Sequence, residues 1–324
     1  MLRSTIFLVK GVREFTRGGY ERTSRSFDEA VMQRSLAGRK CMVTGANQGL
    51  GLQTSMELAR RGATLYMVCR NEQRGREAVE KVIADSGNLD VHLKVCDLAS
   101  LAAIKALAEE YLATGDPLDV LVNNAGLMLH ERTPSPDGLE TNFAVNTLAC
   151  FALTLALQPA LFRAASARVV FVSSGGQYTE PLVVDDLQAE RMRKFDGTAQ
   201  YARDKRRQVA LAERFSERWA AAGQRAAAYA MHPGWTETEG VKTSIPGFYK
   251  AFKDKLRNLA QGCDTTVWLC LQDADKLQPG AFYLDRQPQS KHLVLAGTKY
   301  SSADVDRLWE ALEKLAAPTL PAAA

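Results

Sequence analysis

The stretch that decides the fold is Lys40-Cys41-Met42-Val43-Thr44-Gly45-Ala46-Asn47-Gln48-Gly49-Leu50-Gly51-Leu52-Gln53-Thr54-Ser55-Met56. Lys40–Val43 is a short apolar run of strand length, and from Leu50 to Arg60 the pattern turns helical. Between them, Gly45-x-x-x-Gly49-x-Gly51 lets the backbone swing tightly from strand to helix. A chain without Cβ atoms there can approach a pyrophosphate closely, and the helix N-terminus offers amide donors and a positive dipole end to the anion. Gly45, Asn47, Gln48, Gly49, Leu50 and Gly51 are therefore expected to hold the phosphates of a nucleotide.

Outward from this turn, short apolar runs alternate with longer amphipathic ones. The spacing predicts strands at Lys40–Val43, Thr64–Cys69, Val91–Cys96, Val120–Asn123, Arg168–Val172, Ala226–Met231 and Ala281–Leu284. Helices are predicted at Leu50–Arg60, Glu72–Asp85, Ser100–Tyr111, Gly138–Ala164, Ala199–Ala222, Gly262–Leu271 and Ala303–Leu315. With right-handed crossovers this is an α/β fold, a single doubly wound Rossmann domain on a seven-stranded parallel sheet. It spans residues 38–324, behind an N-terminal extension of residues 1–37.

Composition bounds the function. Of 324 residues 46% are hydrophobic and 24% charged, enough to bury a large core. The net charge of +4 is small and scattered, which argues against a nucleic-acid partner. Six cysteines form no C-x-x-C pair and read as small buried hydrophobes of a reducing compartment. Four histidines lack ligand spacing, so no metal site is expected. The chain is placed inside the cell, in the cytoplasm, with a membrane surface or the mitochondrion as alternatives.

Those alternatives come from the extension. Arg3, Lys10, Arg13, Arg17, Arg22 and Arg25 surround the apolar run Ile6-Phe7-Leu8-Val9. Three readings stand: an arm packed on the protein's own surface, a membrane-surface helix with Ile6, Val9 and Phe7 toward lipid, or a targeting segment. The longest apolar stretch, Leu148–Phe162, is broken by Thr154, Gln158 and Pro159 and falls short of the roughly 20 residues of a membrane span.

The chemistry-bearing residues lie farther along. Asn123-Asn124-Ala125-Gly126 ends the fourth predicted strand, Asn146 follows, Ser173-Ser174 ends the fifth, and Tyr201-Ala202-Arg203-Asp204-Lys205 lies on the next helix. Tyr and Lys four apart share one helical face, so a cation can sit beside a phenol whose ordinary pKa is about 10. A second such pair, Tyr249 and Lys253, has no serine pair leading into it. In their order and spacing these motifs resemble the short-chain dehydrogenase/reductase family. The acidic insert Asp185-Asp186-Leu187-Gln188-Ala189-Glu190 is similar to its retinol-dehydrogenase-like branch.

The resemblance implies a hydride-transferring oxidoreductase. Reducing a carbonyl needs a proton for the developing alkoxide. Tyr201 would donate it and Lys205 would lower the phenol's pKa and hold the nicotinamide ribose. Ser174 would orient the substrate oxygen, and Asn146 would support a relay water near the lysine. On the cofactor side the resemblance adds Asp97-Leu98 at the adenine, Asn124-Ala125-Gly126, and the Pro233-Gly234 turn with Thr238. The second strand ends Val68-Cys69-Arg70; NAD sites usually carry an acid there, whereas Arg70 can grip a 2′-phosphate, so NADP(H) is expected.

Ser174, Gly176, Tyr178 and Trp235 are expected at the substrate, under a lid from Trp235 to Lys253 whose Val241, Ile245, Phe248, Tyr249 and Phe252 suit a lipid-like or aromatic carbonyl or its alcohol. A homodimer through the helices holding Asn146 and Tyr201 is the expected assembly, with peripheral membrane contact through the extension as a further partner. The alternative function is a non-catalytic NADPH-binding sensor or scaffold.

Overall fold

The structure, a computed structural model, describes residues 2–319. Met1 and residues 320–324, which belong to the expected extension and domain, lie outside the described residues. In chain order the elements are α1 (Leu2–Lys10), a π-turn (Gly11–Phe15), α2 (Arg17–Thr23), β1 (Lys40–Thr44), α3 (Gly49–Arg60), β2 (Thr64–Cys69), α4 (Glu72–Ser86), β3 (Val91–Val95), α5 (Leu101–Leu112) and β4 (Val120–Asn123). Then follow α6 (Thr141–Phe143), a second π-turn (Ala144–Leu148), α7 (Ala149–Ala156), α8 (Gln158–Arg163), β5 (Arg168–Val172), α9 (Gly197–Ala221) and β6 (Ala227–Met231). The chain continues with α10 (Glu239–Ser244), α11 (Pro246–Phe252), α12 (Leu259–Leu271), β7 (Phe282–Leu284), β8 (Gln287–Gln289) and α13 (Ser302–Ala316).

The strands form one sheet in the order β3-β2-β1-β4-β5-β6-β7-β8. The first seven are parallel, and all but the edge strand β3, whose His92 and Val95 are exposed, are buried on both faces, hence their apolar runs. The order reverses between β1 and β4, which opens a crevice at their C-terminal ends, where such sheets bind ligands. The expected seven-stranded parallel sheet is corrected by β8, which pairs antiparallel with β7. Its Gln-Pro-Gln sequence carries no apolar alternation. Its two-residue turn, Asp285 and Arg286, has φ of +50° and +60°. Ion pairs of Asp285 with Arg257 and of Arg286 with Asp264 hold this turn, whose backbone region non-glycine residues rarely adopt.

The single helix expected over Gly138–Ala164 is in fact several. Gly138 lies in a turn, and helix begins at Thr141, where the Glu140 carboxylate accepts from the Asn142 and Phe143 amides. The π-turn then widens it, and α8 restarts with Pro159 in its first turn. On the outside, α13 lies across α7 and α9: Trp309 meets Phe151 and Phe215 edge-on, with centroids 4.9 and 4.7 Å apart. The chain's own C-terminal helix thus covers part of α7 and α9, which belong to the helical segments expected to pair two subunits.

The extension packs against the body. Phe15 is fully buried among Tyr178, His232 and Trp235. Gly11 lies so close to Trp235 that a Cβ there would come within 2.2 Å of the indole. The Arg257 guanidinium donates to the carbonyls of Glu14 and Phe15 at 2.7 and 3.0 Å. Phe7 turns inward onto Phe15 and Trp235, correcting the expectation that it faces lipid; among the described residues of this segment, Leu8, Val9 and Val12 are exposed large apolar side chains. No described helix is long and apolar enough to cross a membrane.

Candidate active site

At the crevice, β1 runs into a glycine turn with φ of +63° at Gly45 and +56° at Gly49, and a Cβ on Gly51 would lie 2.2 Å from the Gly45 carbonyl oxygen. Asn124 braces this turn: its Nδ2 donates to the Thr44 carbonyl at 2.8 Å, while Thr44 Oγ1 accepts from the amides of Asn124 and Ala125. Asn124 and Ala125 therefore shape the phosphate turn from behind. Gln48 precedes α3 without capping it, so the first N–H groups of α3 meet no side-chain acceptor. Uncapped amides over a glycine turn fit the pyrophosphate of a dinucleotide.

The other cofactor-side residues ring the same sheet edge. Arg70 is exposed just past β2, and the nearby carboxylate, Glu72, is paired with Arg76. Asp97 and Leu98 are half-buried after β3, with Asp97 Oδ1 accepting from the Ala99 amide. Pro233 and Gly234 follow β6, where the Gly234 amide donates to His232 Nδ1 at 3.0 Å. Thr238 caps α10 through an acceptor bond from the Val241 amide. The lid crosses the cleft: Ser244 Oγ donates to the Met128 carbonyl at 3.2 Å.

Four residues meet at the centre. Ser174 Oγ and the Tyr201 phenol are hydrogen-bonded. Lys205 Nζ lies 5.4 Å from the Tyr201 ring centroid and donates to the Val172 carbonyl at 2.8 Å. Asn146, in the second π-turn, uses its whole side-chain amide on Leu127, accepting from its N–H at 2.9 Å and donating to its carbonyl at 2.8 Å. It pins the chain after β4 to the second π-turn. Burial pushes the Tyr201 phenol up to about 12, against the hydrogen bond from Ser174, and pulls Lys205 down to about 8. The expectation that Lys205 lowers Tyr201 is therefore corrected. Desolvation in this cleft sets the phenol, and the Lys205 ammonium faces Val172 and Gln208 instead.

On the substrate side, Gly176 lies next to Ser174, whose Oγ accepts from its amide. Tyr178 is corrected from substrate residue to core residue, because its hydroxyl donates to the Ser290 carbonyl at 2.6 Å and its ring is covered by Phe15 and Phe282. Trp235 stands between the N-terminal segment and the lid residues Phe248 and Phe252, with ring centroids 5.0 and 4.8 Å away. The decoy Tyr249 instead donates to Glu237 at 3.1 Å. Sequence reasoning missed Gln208, one helical turn beyond Lys205, and Arg257, the clamp on the N-terminal segment. A polar residue in a buried stripe of α9 was the available signal for Gln208.

A glycine turn at the switch point of a doubly wound sheet, with Ser, Tyr and Lys converging beside it, defines an oxidoreductase that works with a nicotinamide nucleotide. The chain belongs to the short-chain dehydrogenase/reductase family. The family model described as short chain dehydrogenase matches residues 39–183. Dehydrogenase/reductase SDR family member 12 of Bos taurus is 44% identical over 98% of both chains, and retinol dehydrogenase 12 of Mus musculus 32% over 85% of each. The crystal structure of an uncharacterised protein from Mycobacterium paratuberculosis shares the fold, at 29% identity and a TM-score of 0.72 over 90% of this chain and 97% of that one.

Proposed function

We propose that this protein is an NADPH-dependent reductase of apolar carbonyl compounds, or in reverse a dehydrogenase of the matching alcohols. The observation that carries the reading is the hydrogen-bonded Ser174–Tyr201 pair with Lys205 against the tyrosine ring. The bound cofactor supplies the hydride. The chain's own residues do the rest: the Ser174 hydroxyl and the Tyr201 phenol both donate to the carbonyl oxygen, which becomes more basic as it takes on charge. A phenol held at about 12 is fully protonated at neutral pH and so is loaded as an acid for reduction. Its proton passes to the alkoxide oxygen, leaving a phenolate that accepts a hydrogen bond from the new alcohol. Asn146 holds the β4 end in place.

Arg70 supports NADPH over NADH, since its guanidinium can form paired bonds to a 2′-phosphate. The aromatic and aliphatic lid supports an apolar substrate, as does the name of the retinol dehydrogenase relatives. The reading is tested by following NADPH consumption with retinoid, steroid, quinone and long-chain aldehyde carbonyls. Turnover with at least one apolar class is expected. Tight NADPH binding with no turnover on any of them would favour a sensor or scaffold instead.

A further inference from the structure

Gln208 lies one turn beyond Lys205 on α9 and is fully buried. Its two amide ends face different partners: Oε1 accepts from Lys205 Nζ at 3.2 Å, and Nε2 donates to the Asn146 carbonyl at 2.7 Å. That carbonyl lies in the π-turn, and such widened turns open carbonyls to side chains and recur at functional sites. Nε2 also lies 3.4 Å from Cys150 Sγ. We infer that Gln208 is a positioning residue of this active site, whose amide ties the Lys205 ammonium to the Asn146 backbone and keeps it charged and aimed at the cofactor ribose. The inference rests on the proposed cofactor reading.

The physical case is one of satisfaction. A buried ammonium has three donors and needs an acceptor for each. Val172 and Gln208 supply two, which leaves the third N–H free for a ligand. Burial already draws Lys205 down to about 8, so loss of either acceptor favours the neutral amine. Around Lys205 the titratable neighbours are Cys150 from α7 and Asp204 and Tyr201 from α9 itself. The β5 side presents the Val172 carbonyl. Asp204 is engaged with Thr147 and Arg207, so Gln208 is the side chain that accepts from the ammonium directly.

The test is NADPH affinity against pH by titration calorimetry, with melting temperatures in parallel, for the wild type, Gln208→Met and Gln208→Glu. The ammonium is the binding form, so affinity falls as pH rises through the lysine pKa. Gln208→Met removes an acceptor and should weaken NADPH about tenfold at neutral pH, moving that fall to lower pH. Gln208→Glu adds an anion beside the ammonium and should move the fall to higher pH. Should both variants keep the wild-type pH profile and merely melt earlier, Gln208 is core packing and the inference is wrong. Absence of NADPH binding in the wild type would overturn the cofactor reading and this inference with it.

Discussion

Phe15 and Trp235 are joined twice: the Trp235 amide donates to the Phe15 carbonyl at 2.7 Å, and the two rings meet edge-on with centroids 6.0 Å apart. The first belongs to the N-terminal segment and the second follows the Pro-Gly turn after β6. The segment is thereby a wall of the catalytic body at the point where substrate is expected.

Phe15→Ala should destabilise the protein by about 3–5 kcal/mol, the range for emptying a buried aromatic site, and should expose Trp235. Chemical denaturation with tryptophan fluorescence checks both. A loss below about 1 kcal/mol would mean that the segment is only draped over the body.

His232 gives the fold an acid-sensitive point. Its Nδ1 accepts from Gly234, which leaves the proton on a buried Nε2 that meets no acceptor and lies edge-on to Phe15. Burial, aided by Arg257, holds its pKa well below the usual 6.5. The unfolded chain therefore takes up a proton near pH 6.5 that the native state refuses, and stability is full above that pH and lost as pH falls below it. The slope should approach about 1.4 kcal/mol per pH unit from this one group. His232→Asn keeps an acceptor for Gly234 and should flatten the slope between pH 6.5 and 5; an unchanged slope would acquit His232.

The cover that α13 lays over α7 and α9 has a consequence for assembly. Sedimentation of the wild type should show no dimer held through these helices, and Trp309→Ala should lower stability by about 3–5 kcal/mol. A cross-link between α9 helices of two subunits would contradict this arrangement.

Cofactor choice hangs on a single exposed side chain. Arg70→Ala should weaken NADPH by about 1–3 kcal/mol, the scale of a charge-assisted hydrogen bond, while NADH changes little. Fluorescence titration with both nucleotides reads the difference, and equal losses would remove the 2′-phosphate from Arg70.

The inner parallel strands were legible because burial on both faces demands continuous apolar runs, and β1, β2, β4 and β5 start where those runs start. β8 was not, since its pairing comes from a turn held by the long-range ion pairs of Asp285 and Arg286. In the candidate site, spacing was enough for Ser174, Tyr201 and Lys205, whose relation is set by one strand end and one helix. Tyr178 was misread because its neighbour Phe15 comes from more than 160 residues away in sequence. A longer separation, 242 residues between Arg257 and Phe15, hid the role of Arg257. The pKa of Tyr201 could not be read from residue types, because the depth of the cleft decides it.

The most direct measurement is single-turnover and steady-state reduction by Tyr201→Phe beside the wild type, with NADPH affinity measured on both. The variant loses one hydroxyl, so the account predicts turnover reduced by at least about a hundredfold with NADPH binding retained. Turnover at the wild-type rate would contradict the assignment of Tyr201 as proton donor, and with it the mechanism proposed for this site.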